Sequence, residues 1–252
     1  MKNIPYIYFN FNKLIVFTYS EPLKLKIKIP LNLLNIMDFI SRLISCQKCP
    51  RLVNYRNSFP ENYWRKPVPP NGKFNAKIVI VGLAPAGHGG NRTGRMFTGD
   101  ESANNLTKAL YEVRLANQPF SESKDDGLEL YDVYITSAVK CAPPENKPTA
   151  SEINNCLSFL EEEIKMLKNA KVYIALGKIA WDSLLKAFKN LGYKIPSTVK
   201  FSHGNLVKIE KQDLSIIWLI GSYHPSPRNM KTGKLTMEML IEILKMAKSL
   251  AK

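Results

Sequence analysis

The chain has 252 residues, 45% of them hydrophobic and 23% charged, which suits one globular domain with a sizeable core. Its 36 Lys and Arg against 21 Asp and Glu leave a formal charge of +15, pointing to a polyanionic partner, nucleic acid first of all. No apolar stretch reaches the length of a helical membrane span, so we expect a cytoplasmic monomer with no membrane partner.

Residues 1–30 are rich in Ile, Tyr, Phe, Asn and Lys, and the alternation over 23–29 (LKLKIKI) suits an edge strand or hairpin. A signal peptide does not fit, because Asn10, Asn12 and Lys13 break its apolar core and no small-residue cleavage site follows. Segment 1–36 therefore reads as an atypical extension, or a product of start-site choice, and 37–252 as the domain proper. Met37 precedes Asp38 and a helix whose apolar face is Phe39, Ile40, Leu43 and Ile44. That helix delivers Cys46 and Cys49, a C-x-x-C pair followed by Pro50, and Cys141 and Cys156 complete the four cysteines of the chain. Without a secretory signal, metal ligation suits them better than disulfides. Zinc and an iron–sulfur cluster both accept four thiolates, and spacing does not choose between them. Buried free thiols at Cys141 and Cys156 are the bland alternative.

Residues 51–75 read as a loop with four prolines, in which Tyr55, Arg56, Tyr63, Trp64, Arg65 and Lys66 interleave aromatic and basic side chains, as a nucleic-acid track or the edge of a core would. Ile78, Val79, Ile80 and Val81 then form an all-apolar run suited to a strand buried on both faces, and it stops at Gly82. The following loop is crowded with glycines that let the backbone approach a ligand, yet it fits neither the dinucleotide fingerprint nor the phosphate loop. Asn91, Arg92 and Arg95 add donors to it, Phe97 a flat apolar face, and Asp100 closes it before a helix over 102–111.

A second strand over 131–136 leads into SAVKCAPPENKP, where paired prolines make a rigid turn around Cys141. Thr149 and Glu152 open a helix carrying Cys156, Leu157, Leu160 and Ile164. A third strand over 171–176, a helix from Gly177 to about Phe188, a fourth strand over 216–220 and a last helix over 236–250 complete an alternating pattern, hence an α/β chain with a mostly parallel sheet. Ligands collect beyond the carboxyl ends of such strands, where the loops bearing Asp100, Ser137 and His224 lie. His224 carries more weight than His203, which precedes Gly204 in a turn of hairpin type, because Ser226 and Arg228 follow it with a hydroxyl and a cation suited to phosphate.

GLAPAGHGGNRTGRMFTGD, KCAPPENKP and HPSPRN, taken with the cysteine pattern, resemble the b-type, or fifth-family, uracil-DNA glycosylases, and the match spans most of 37–229. The resemblance implies a three-layer α/β/α fold around a central four-stranded parallel sheet. It implies a structural 4Fe-4S cluster on Cys46, Cys49, Cys141 and Cys156, favouring iron–sulfur over zinc, and no catalytic metal or nucleotide cofactor. The implied activity is that of a monofunctional base-excision enzyme hydrolysing the N-glycosidic bond of uracil, and of hypoxanthine and xanthine, in DNA after base flipping. On that pattern Asp100 positions water, and His224 with main-chain N–H groups near Gly82 and Leu83 faces the departing base. Phe97 stacks on that base, while Ala86 stands where fourth-family enzymes are more polar. Asn91, Arg92, Arg95, Ser226 and Arg228 are then the expected DNA contacts. One departure is Ser137, which stands where the family usually has Asn four residues before the cysteine. Either its short hydroxyl faces the base, or it bonds the backbone of the turn before Cys141. This departure keeps open a second class of function, a non-catalytic iron–sulfur protein that binds nucleic acid.

Overall fold

The computed structural model describes residues 30–252 and, before them, strands β1 (Tyr6–Asn10), β2 (Lys13–Thr18) and β3 (Glu21–Leu23). The chain divides into two compact units, 1–41 and 42–252. In the first, the three strands form an antiparallel meander with Ile7 opposite Val16 and Phe17 opposite Pro22. The alternation expected over 23–29 lies, past Leu23, outside the described residues. Helix α1 (Leu31–Ile44) starts earlier than expected, directly after Pro30, whose carbonyl accepts the N–H groups of Leu33 and Leu34. Leucines favour helix, so Met37 and Asp38 fall inside α1 rather than at its start.

The second unit is built on a mixed sheet. Its strands are β4 (Asn71–Gly72), β5 (Ile78–Gly82), β6 (Val133–Ser137), β7 (Val172–Leu176), β8 (Leu206–Glu210) and β9 (Ile216–Ser222), ordered β4-β6-β5-β7-β9-β8. The middle four are parallel, as expected, with Ile80 level with Ile135 and Ile174. The sheet is nonetheless six-stranded, because β4 and β8 add antiparallel edges. Helix α2 (Pro50–Asn57) also replaces part of the expected loop over 51–75, with Pro50 in its first turn, where a missing N–H costs nothing.

Pleating sends successive side chains of a strand to opposite faces, and both faces of this sheet are covered. Ile78 and Ile80 pack with Leu106 and Leu110 of α4 (Glu101–Glu112), which follows the single turn α3 (Gly90–Thr93), and with Leu240 and Leu244 of α8 (Met237–Leu250). Val79 and Val81 pack with Leu160 and Ile164 of α5 (Ala150–Met166) and Trp181 and Leu184 of α6 (Lys178–Asn190). Three layers result. At the start of α5, Thr149 Oγ1 accepts the Glu152 N–H while the Glu152 carboxylate accepts that of Thr149, the reciprocal cap expected there.

Candidate functional site

The carboxyl ends of the parallel strands surround a cavity of about 290 Å³. Its walls come from the loop after β5, through Leu83, Pro85 and Ala86, and from Phe97, Asp100, Asn146, His224 and Ser226. Gly82 lies beneath Phe97: a Cβ there would stand 2.6 Å from the ring, so glycine lets the aromatic lie flat across the strand end. Phe97 has a left-handed backbone (φ 51°), costing about 1–2 kcal/mol for a residue with a β-carbon. Its carbonyl is held by the Ser121 hydroxyl at 2.9 Å.

Asp100 caps α4, with Oδ1 accepting the Ala103 N–H at 2.9 Å. Burial raises its pKa above the usual carboxylate value, against the pull of the Ala103 and Ser102 N–H groups and of the Arg92 cation. The other oxygen is pressed against the backbone: a Cβ on Gly89 would come within 2.0 Å of Oδ2. Glycine at 89 is thus what lets the carboxylate sit where it does.

His224 follows β9, half-buried, its ring 5.9 Å from that of Phe97. Burial pushes its pKa down to about 4, so at neutral pH it is an uncharged imidazole that donates one N–H. Its carbonyl accepts both the Ser226 N–H and the Asn229 amide at 2.8 Å, and Asn105 of α4 donates to the Pro225 carbonyl at 3.1 Å. Ser226 also caps the short helix α7 (Pro227–Lys231), through the Asn229 N–H. These asparagines were not singled out from sequence, where only their nearness to the histidine motif could have marked Asn229.

Several expected contacts move. Ser137 is fully buried and lines no part of the cavity, its hydroxyl donating to the Val139 carbonyl at 2.8 Å, so it holds the turn before Cys141. Asn146, of the same SAVKCAPPENKP stretch, lines the cavity instead, and both Glu145 and Asn146 have positive φ (53° and 56°). Arg95 is no surface contact: it is buried, with Nε on the Thr98 hydroxyl at 2.8 Å and a fork on Asp126 at 2.9 and 2.7 Å. It also reaches the Ser121 hydroxyl at 3.0 Å, and so supports Phe97 from below. Asn91 is wholly buried too, which removes it from any DNA surface. Arg92 and Arg228 are exposed. Gly82 underlies the cavity without lining it.

Residues 69–248 match the family model described as the uracil DNA glycosylase superfamily. The chain belongs to that superfamily. It is similar to the type-5 uracil-DNA glycosylase of Pyrobaculum aerophilum, 51% identical over 217 residues covering 83% of this chain and 91% of that one. The type-5 enzyme of Thermus thermophilus is 43% identical over 84% of this chain and 97% of its own, and that of Mycobacterium leprae 39% over 86% and 96%. The motif resemblance thus extends along most of the chain, and this glycosylase is a hydrolase acting on N-glycosyl bonds.

The glycosylase gathers its cysteines away from the cavity. Cys49, Cys141 and Cys156 are buried together with Leu52 and Val139, and Cys46, half-buried, is linked to Cys141 through Arg56, which donates to both residues. Donors point at the sulfurs: Arg56 Nη1 to Cys141 Sγ at 3.0 Å, the Lys140 N–H to Cys156 Sγ and the Asn155 amide to Cys49 Sγ, both at 3.5 Å. Arg56 is buried, and its other partners are the Cys46 carbonyl and the Gln47 amide oxygen. A buried guanidinium facing sulfur rather than a carboxylate fits sulfur that carries negative charge. As free thiols, Cys141 and Cys156 are pushed up by burial to about 12 and 11, so taking up a metal would release protons. Among the described residues, no three His, Cys, Asp or Glu side chains form a site for a single ion.

Proposed function

We propose that the protein excises uracil, and more slowly hypoxanthine and xanthine, from DNA, taking the nucleotide out of the stack and hydrolysing its N-glycosidic bond. The observation that carries this reading is the cavity itself, which joins Asp100, His224 and the Phe97 face at the strand ends. Its size, about 290 Å³, is at the small end of ligand pockets and suits a single base.

Bond breakage builds cationic character on the sugar and negative charge on the departing base. Phe97 stacks on the extruded base. Asp100, ionised, orients water towards the sugar and faces its developing charge. Neutral His224 supplies one N–H that hydrogen-bonds the leaving base without transferring its proton, and the main chain at Leu83 adds a second donor. Asn146, an exposed residue that lines the cavity, is the amide we assign to pair with a base edge. A labelled duplex with one uracil, incubated with the protein and then treated with alkali, should be cut at that position; an intact strand at excess enzyme sinks the reading. The non-catalytic alternative rested on Ser137, which is occupied with the Val139 carbonyl.

Base preference therefore follows Asn146. Asn146→Ala should lower single-turnover uracil release by about tenfold, the worth of a lost hydrogen bond in a confined site, and hypoxanthine release by less. Ser137→Asn, by contrast, forces a longer side chain into a filled site, so it should lower the thermal midpoint without raising uracil turnover. The reverse pattern would return base reading to position 137.

For the cofactor we propose one 4Fe-4S cluster held by Cys46, Cys49, Cys141 and Cys156. When bound it would supply cross-linking between the 46–49 segment, the turn at Cys141 and α5, and no step of the reaction. A four-iron cluster takes one thiolate on each iron, which suits a dispersed thiol set better than one zinc does. Protein purified without air should be brown, with iron and acid-labile sulfide in equal amounts. Colourless protein with one zinc per chain is the outcome that rejects the cluster.

A further inference from the structure

His88 is an exposed member of the glycine-rich loop, set between two glycines whose backbones are in close contact with other groups. A Cβ at Gly87 would lie 2.5 Å from Phe59 Cζ, and one at Gly89 would lie 2.0 Å from Asp100 Oδ2. The loop is thereby wedged between an aromatic ring and the carboxylate of the cavity. The side chain is also fixed. Phe59 and Tyr63 stack at 5.8 Å, the His88 ring meets them edge-on at 5.3 and 6.0 Å, and the Tyr63 hydroxyl is 3.1 Å from Nδ1. Arg92 clamps the main chain, with Nε on the His88 carbonyl at 2.8 Å and Nη2 on the Gly99 carbonyl, next to Asp100, at 2.9 Å.

An exposed histidine needs no such support to remain in water, and a side chain already immobilised loses little freedom when it binds. Nδ1 is taken by Tyr63, which leaves Nε2, across the ring, as the nitrogen with no partner among the described residues. Its neighbourhood is cationic on balance, with exposed Arg92 and Lys66 and half-buried Arg65 against Glu61 and the half-buried Asp100, in a chain of charge +15. We propose that His88 Nε2 hydrogen-bonds a phosphate of the DNA strand at the cavity rim, beside the extruded nucleotide, with Tyr63 and Phe59 as its rigid support. In the tautomer with the proton on Nε2, the Tyr63 hydroxyl donates to Nδ1 and Nε2–H donates to a phosphate oxygen, so both bonds form together. The basic and aromatic segment 59–66 thus serves DNA by holding this donor. The proposal rests on the reading that the substrate is DNA.

Binding of the full chain to a duplex with a tetrahydrofuran abasic-site analogue tests it, because that probe needs no base release. His88→Ala should weaken binding by about tenfold and Tyr63→Phe, which keeps the ring but loses the hydroxyl, by about threefold. A single neutral methylphosphonate linkage, moved one position at a time, should weaken the wild type at one rim phosphate and cost His88→Ala nothing further there. Unchanged affinity in both variants, or equal methylphosphonate losses in wild type and His88→Ala at every position, overturns the proposal. If His88→Ala loses its thermal transition, the same linkage scan on Tyr63→Phe decides. Uracil excision by the wild type is run beside it: binding through His88 without excision keeps the contact and rejects the proposed activity, while excision without the coupling does the opposite.

Discussion

Asp100→Asn slows uracil release by at least about a hundredfold under single-turnover conditions, while affinity for uracil-containing duplex stays the same or rises. The size follows from the worth of a positioned general base, about 10²–10⁴ in rate. Asn keeps an oxygen for the Ala103 N–H, so α4 retains its cap and the loss is the anion alone. Folding supplies an independent control. Burial raises the Asp100 pKa, so ionised Asp100 costs stability at neutral pH, a cost absent below its unfolded pKa of about 4 and complete above its folded one. The asparagine variant should therefore melt at the same or a higher temperature at pH 7. The wild-type rate should fall as pH drops through a pKa above the ordinary carboxylate value, with no inflection near 6.5, because His224 stays neutral down to about 4. A variant with wild-type rate, or an acid limb that survives in Asp100→Asn, would show that another group handles the water.

Breaking the buried Lys140–Glu163 pair should cost about 3–5 kcal/mol, a large share of the roughly 5–15 kcal/mol that holds most domains folded. Both side chains are 1% exposed, with Nζ 2.6 Å from Oε2. Lys140 also donates to Thr136 Oγ1 at 2.5 Å, and Glu163 accepts from the Tyr134 and Thr136 hydroxyls at 3.1 and 2.9 Å. Removing Lys140 alone, as Lys140→Met, leaves a buried carboxylate with two hydroxyl donors and no counter-charge. Removing both, as Lys140→Met with Glu163→Leu, takes out the unpaired charge and should recover more than half of the loss. Denaturant midpoints of the two variants measure this. A single variant within about 0.5 kcal/mol of wild type would mean that water reaches the pair. The pair joins the residue before Cys141 to the helix that carries Cys156, so the proposed cluster has a further consequence: iron bound per chain should be lower in the single variant than in wild type.

Much of the parallel core was legible because its signals are local. Ile78 to Val81 must be covered on both faces whatever surrounds them, and the Thr149–Glu152 cap is complete within four residues. Edges were harder to read. β4 is two residues long and is a strand only because Asn71 meets Ile135, while the alternation of β8, Val207 and Ile209 inward, is only five residues long and gains its meaning from pairing with β9. The loop expected over 51–75 likewise hid α2, whose start at Pro50 is set by the packing of Leu52 and not by a helical run of apolar residues.

For the site, sequence by itself determined the inventory: which loops bear Asp100, Phe97 and His224, which four cysteines are present, and which family the motifs resemble. It could not determine the direction in which a side chain faces, since a residue and its neighbour one peptide away can lie on opposite sides of a strand end. Ser137 and Asn146 are nine residues apart in one stretch, yet the first is sealed at the end of β6 and the second lines the cavity. Arg92 and Arg95 look alike in a string of donors, but only packing against Thr98, Ser121 and Asp126 turns Arg95 inward. Tertiary structure alone also set the protonation states, because burial comes from chain segments far apart in sequence: it lifts Asp100 and lowers His224, two shifts that no spacing of residues encodes.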